Sequence, residues 1–150
     1  MHFSQCYDLA VHGLCCLAAQ PDGRLVAAKN IATALNAKLT YLAKVLQALT
    51  HAGLVRSARG KLGGYGLKRP ASEITLADIL KALDTHSEIY LCPGNRGCKR
   101  SNGCAIQTAF GKASKALSEE FEKVTLAQIV GDLRGPDGAS APTWINVPGR

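Results

Sequence analysis

Cys92, Cys98 and Cys104 stand at even intervals in the stretch Cys92-Pro93-Gly94-Asn95-Arg96-Gly97-Cys98-Lys99-Arg100-Ser101-Asn102-Gly103-Cys104, with five residues between neighbours. Thiolates are the natural ligands of iron–sulfur clusters and of zinc, so the spacing points to a metal-cluster loop. Pro93, Gly94, Gly97 and Gly103 rule out a regular helix or a central strand there. Five extended residues reach about 15–20 Å, enough to wrap an object larger than one metal ion. A disulfide or an inert polar loop is the plainer reading, but an odd number of evenly spaced, loop-borne cysteines does not suggest a disulfide framework. Cys104 also opens the next helical pattern, whose positive end favours a thiolate.

Charge is the second chemical signal. The net charge is +7. No Asp or Glu occurs between Gly23 and Ser72, while Arg24, Lys29, Lys38, Lys44, Arg56, Arg59, Lys61, Lys68 and Arg69 do. The remaining residues hold nine Lys and Arg against eleven Asp and Glu, so the positive excess lies in one acid-free block. Such a block is the footprint of a polyanionic partner, with nucleic acid first among candidates. The 150 residues are enough for one domain and an ordinary core. No apolar run approaches the length of a membrane span. Six cysteines without a recognisable leader point to a reducing cytoplasm.

These residues need elements to position them. Ser4 is placed to cap a first helix with Ala10, Leu14, Leu17 and Ala18 on one face. Asp8, Cys6, Cys15 and Cys16 lie on that helix, the last two as core residues. After a turn at Pro21-Asp22-Gly23, the pattern predicts a short helix at 31–35, a tight turn at 36–38, and a third helix from Tyr41 to Thr50 capped by Thr40. Leu42, Val45, Leu46 and Leu49 form its apolar stripe, and Ala52-Gly53 stops it. Two helices joined by so short a turn describe a helix-turn-helix. Leu54–Ala58 and Tyr65–Lys68 read as strands around a basic turn, Arg59-Gly60-Lys61-Leu62-Gly63-Gly64, which makes a winged helix. Thr75 and Asp78 resemble a capping box, and the Thr125 segment echoes it as helix-start chemistry. From Ala105 a longer helix carries Ile106, Ala109, Phe110, Ala113, Leu117 and Phe121 at three- and four-residue steps. That stripe is long for the chain left to bury it, and predicts pairing with a second copy.

The fold expected is therefore mainly α with a small β-hairpin wing: a winged helix-turn-helix plus a long dimerisation helix. Residues 1–84 form the DNA-binding domain, whose first helix also meets the dimer partner. Residues 85–104 form the cysteine loop, 105–133 the dimerisation and terminal helices, and 134–150 a flexible tail unless Trp144 docks.

The run Ile31-Ala32, Tyr41-Leu42, Val45-Leu46, Ala52-Gly53-Leu54-Val55, Arg59-Gly60 and Gly63-Gly64-Tyr65, followed by Ile74-Thr75-Leu76-Ala77-Asp78-Ile79, resembles the IscR/NsrR family of winged-helix transcription regulators. The resemblance covers residues 1 to about 133. It implies a cytoplasmic homodimer on double-stranded promoter DNA, acting as a repressor or redox sensor, with Cys92, Cys98 and Cys104 as cluster ligands. IscR-like members hold a 2Fe–2S cluster and place a His where this chain has Gln107. NsrR-like members hold a 4Fe–4S cluster with an Asp from the partner's first helix, and Asp8 matches that position. The 4Fe–4S reading and a nitric-oxide or oxygen signal follow, with 2Fe–2S as the alternative. Cys6 is a rival to Asp8 at neighbouring register, and His12 a weaker one.

On this reading Thr40, Tyr41 and Lys44 meet bases and phosphates, and Arg59 and Lys61 of the wing reach the backbone or minor groove. Lys38, Lys68 and Arg69 add phosphate contacts. Ala43 stands where some relatives have a polar base-reading group. Two rivals keep the DNA-binding role. One is a zinc-holding module, for which the five-residue spacings are poor; the other is a metal-free thiol regulator using Cys98. An enzyme finds no support, since no Ser-His-Asp pattern, phosphate loop or carboxylate pair is present.

Overall fold

Ala10, Leu14 and Leu17 recur on one helical face, and α1 (Gln5–Ala18) buries all three. The structure, a computed structural model, describes residues 5–60, 63–83, 104–135 and 141–149. The proposed cap Ser4, together with Lys61, Cys92 and Cys98, lies outside the described residues. Pro21–Gly23 forms the expected turn. α2 (Ala28–Ala34) begins three residues earlier than Ile31. Nothing from Ala28 to Asn30 breaks a helix, and the chain before it is held extended by a bridge from Val26 to Tyr65, with both hydrogen bonds at 2.8 Å. Winding can therefore start at once.

Asn36 closes the helix-turn-helix turn with φ at 47°, a left-handed conformation that Asn tolerates far better than a branched residue. This swings the chain round early. α3 (Leu39–His51) has Lys38 at its N-cap position and no side-chain cap, so the expected Thr40 cap is corrected: Thr40 lies inside the first turn. The other end is a Schellman motif. Gly53 takes φ of 76° and its N–H donates to the Thr50 carbonyl, while the Leu54 N–H donates to Leu49, each at 3.0 Å.

β1 (Val55–Ala58) and β2 (Gly64–Leu67) pair antiparallel, from Val55 opposite Leu67 to Ala58 opposite Gly64. Gly64 is required by close approach: a Cβ there would sit 2.7 Å from the Val26 carbonyl oxygen and force the bridge apart. This is the expected wing.

α4 (Leu76–Ala82), α5 (Ala105–Lys123) and α6 (Leu126–Arg134) complete the helices among the described residues. The two threonine-led starts are both capping boxes. Asp78 N–H donates to Thr75 Oγ1 and Thr75 N–H to Asp78 Oδ2, each at 3.1 Å; Thr125 and Gln128 repeat this at 3.3 and 2.8 Å. The caps also pair with each other. Leu76 N–H donates to the Val124 carbonyl at 3.1 Å and Leu126 N–H to that of Ile74 at 2.8 Å. In α5 no residue is buried, and Ile106 and Phe110 are 57% and 39% exposed. Its contact with α1 comes near the C-terminal end, where Phe121 stacks on Tyr7 at 6.4 Å between ring centroids. No helix among the described residues is long and apolar enough to cross a membrane.

The core gathers Leu14 of α1, Ile31 of α2, Leu42, Leu46 and Leu49 of α3, Ile74, Ile79 and Leu126. Ile145 joins them and Trp144 packs against the core, so residues 141–149 follow the docked alternative and not the flexible tail. Ile145 is 0% and Val147 4% exposed. Gln20 Nε2 donates to the Val147 carbonyl at 2.9 Å and Asn30 Nδ2 to that of Pro148 at 3.0 Å. Two apolar side chains two residues apart, with main-chain acceptors between α1 and α2, offset the ordering cost that the Gly- and Pro-rich composition suggested would prevail. Ile145→Ala is expected to lower the unfolding free energy by about 2–5 kcal/mol in urea denaturation. A loss below about 0.5 kcal/mol would mean that the tail does not belong to the core.

Candidate nucleic-acid interface and cysteine site

The apolar stripe of α3 turns Leu42, Val45, Leu46 and Leu49 inward, which leaves Thr40, Lys44, Gln47 and His51 on the outward face, all exposed. At the helix start Lys38, Leu39 and Thr40 are exposed in succession, so this end stands clear of the body. That is the form a groove-entering helix needs. Tyr41 behaves differently. It is half-buried and packs on the core beside Cys6. Desolvation, and then the Cys6 thiol to which it is hydrogen-bonded, raise its phenol above the ordinary range. The structure thus gives Tyr41 a tie to α1 that its sequence position did not reveal.

The cations divide into two groups. Arg56 is committed to main-chain carbonyls, donating from Nη2 to Gly23 at 2.8 Å and from Nε to Leu67 at 3.2 Å. Arg69 Nη2 donates to Asp78 Oδ2 at 3.2 Å, which engages it with the α4 cap. Lys38, Lys44, Arg59 and Lys68 are exposed and make no ion pair among the described residues. Arg59 sits at the wing tip, where Gly60 at φ 97° turns the chain and accepts from the Gly63 N–H at 2.9 Å. Helix start, wing tip and Lys68 together offer cationic and hydroxyl donors with few acids near them. Such a set suits a phosphate backbone and base edges. Gln47 and His51 share this face and were not singled out from sequence; their i+3 and i+7 offsets from Lys44 were the available signal.

The cysteines also divide. Cys15 and Cys16 are buried, and burial pushes their thiols up to about 11 and about 12, with Cys15 adding to the shift at Cys16. Cys16 Sγ donates to the Trp144 carbonyl at 3.2 Å. These thiols are shut in and unreactive. Cys104 is the opposite, an exposed free thiol at the N-cap position of α5. Among the described residues no group of three or more His, Cys, Asp or Glu is placed to hold a metal; Cys92 and Cys98 lie outside them.

Asp8 is exposed on α1 and is joined to His12 one turn later. His12 Nδ1 lies 2.8 Å from the Asp8 carbonyl oxygen and 3.2 Å from Oδ1. A carbonyl only accepts, so Nδ1 carries the proton. Trp144 meets the His12 ring edge-to-face at 4.8 Å. Asp8, His12 and Trp144 border an open cavity of about 270 Å³ whose other wall is Leu35 and Asn36 of the helix-turn-helix turn. The i,i+4 spacing could have indicated the Asp8–His12 pair; the Trp144 contact, 132 positions away from His12, had no local signal. Gln107 stands exposed on the first turn of α5.

Comparison with known proteins places this geometry. Residues 3–132 match the family described as Rrf2: Iron-dependent Transcriptional regulator. Protein aau3 of Rhizobium meliloti strain 1021 is 38% identical over 103 residues, 67% of each chain. IscR of T. potens superposes with a TM-score of 0.73 at 26% identity over 88% of each chain. The oxidized form of Staphylococcus aureus CymR gives 0.67 at 26% identity, over 87% of this chain and 96% of that one. CymR, the global cysteine regulator of B. subtilis, gives 0.71 at 24% identity over 87% and 96%, a likeness of fold alone. Members of the matched family are transcription regulators that bind DNA, typically as dimers, and are not enzymes. The chain belongs to the Rrf2 family of transcription regulators.

Proposed function

We propose that this DNA-binding regulator has its promoter affinity set by an iron–sulfur cluster, held by Cys92, Cys98 and Cys104 of one copy and Asp8 of a second. The observation that carries the reading is the contrast among thiols. Cys104 is exposed at the start of α5, whereas Cys15 and Cys16 are buried and held protonated. Exposure of Asp8 on α1 supports its role as the oxygen ligand. The donor set fits a cluster chemically, since three thiolates are standard iron ligands and a carboxylate is a weaker, displaceable fourth. When bound, the cluster would supply reactivity towards nitric oxide, oxygen or iron limitation. The chain's own residues supply the connection. Ligands on α1 and at the start of α5 would tie the DNA-binding head of one copy to the long helix of the other, a two-site coupling in which ligation and DNA affinity affect each other. The amphipathic α5, whose Ile106 and Phe110 are exposed, supports the homodimer this requires.

On DNA, Thr40 and Lys44 of α3 serve the major groove, while Tyr41, half-buried beside Cys6, holds the helix start in place, with Lys38 and Lys68 on phosphates and Arg59 and Lys61 on the wing. The row of exposed cations supports this assignment for Lys38, Lys44, Arg59 and Lys68. A second reading, a metal-free thiol regulator, draws on the likeness to CymR in an oxidized form; it keeps Cys98 as the reactive group.

Anaerobically purified protein is expected to carry about four irons and four sulfides per monomer, with the cluster lost or labilised in Asp8→Ala. About two of each would select the 2Fe–2S form, and iron-free protein that still responds to oxidant would establish the thiol reading instead. Lys44→Ala is expected to weaken duplex binding at low salt and to reduce the slope of log affinity against log salt by about one phosphate contact. An unchanged slope would remove Lys44 from the interface.

A further inference from the structure

The described residues hold three exposed large apolar side chains: Leu39, Ile106 and Phe110. Two sit on α5. Leu39 sits elsewhere, at the first position of α3, and is 44% exposed. It lies between exposed Lys38 and Thr40, so the helix start is open to solvent on successive sides and Leu39 stands in the part of α3 that enters a groove first. One turn on, at i+4, Ala43 is half-buried and adds no polar group beside it. Thr40, Lys44 and Gln47 on the neighbouring face all carry polar ends.

Lys and Thr find partners on phosphates and on several bases, but an aliphatic side chain has one complement on the major-groove edge. That complement is the C5-methyl group of thymine. We infer that Leu39 reads a thymine in each half-site of the operator by packing on its C5-methyl, with Ala43 leaving room for the base beside it. The inference rests on the DNA-binding reading above and adds a specificity residue to it. Contact would cover a leucine that water otherwise surrounds, so the gain comes from removing both apolar groups from water and is insensitive to salt. The lysine contacts weaken as salt rises, which makes the two contributions separable.

The test begins with selection of an operator for the intact protein from a pool of random duplexes, followed by replacement of each thymine in turn by deoxyuridine, which lacks only the methyl. One symmetric pair of positions is expected to lose about fourfold in affinity per methyl removed. Leu39→Ala protein, with unchanged circular dichroism, is expected to bind the thymine and deoxyuridine duplexes equally. An enriched operator that binds equally well at every deoxyuridine position would overturn the inference and leave DNA binding standing. So would a deoxyuridine penalty of the same size in Leu39→Ala. Failure to enrich any sequence would strike at sequence-specific binding itself, and the inference would fall with it.

Discussion

The packing of α1 against α3 is the constraint on which the placement of α3 and of the candidate ligand Asp8 both depend. Leu14 on one helix and Leu42 and Leu46 on the other are fully buried. The outer side of α1 carries Asp8; the outer side of α3 carries exposed Thr40, Lys44, Gln47 and His51. Close-packed interiors shift between discrete arrangements and do not stretch smoothly. The seat of the recognition helix is thus also the seat of the candidate ligand, and the Cys6–Tyr41 contact reinforces the junction from its edge.

Charge is distributed around that junction by use. Arg56 and Arg69 have planar heads suited to carbonyl and carboxylate acceptors, and the fold spends them internally on Gly23, Leu67 and Asp78. The flexible lysines stay outside, together with Arg59 at the wing tip. A basic count read along the chain therefore overstates the cations available to a polyanion, because part of it fastens the hairpin to the turn before it and part fastens the α4 cap.

Much of this was legible in residue order, because the deciding physics was local. Period-3.6 apolar spacing gave α1 and α3, Gly53 gave the stop after α3, and the glycine-rich basic turn gave the wing. Both capping boxes follow from Thr75 with Asp78 and Thr125 with Gln128. What failed was set by distant contacts. The start of α2 depends on Val26 bridging Tyr65, and the tail depends on a slot between α1 and α2 that no window of sequence contains. At the candidate site, Asp8 on α1 and Cys104 at the start of α5 are both exposed. Cys92 and Cys98 lie outside the described residues. The pairing of His12 with Trp144 is a tertiary fact of the same kind as the tail.

The pairing of Thr75 with Thr125 carries a consequence for how such a chain can vary. The two strands of that bridge fasten the chain at positions 50 residues apart, so α4, the cysteine stretch and α5 form a closed excursion whose ends are pinned beside each other. Closing a longer excursion costs only about 0.6 kcal/mol for each doubling of length. Its ends are hydrogen-bonded to one another. The stretch between α4 and α5 can therefore lengthen, shorten or exchange its chemistry while Ile74, Ile79 and Leu126 remain in the core. One DNA-binding head is thereby free to accept different inserts, with the clasp at its base unchanged.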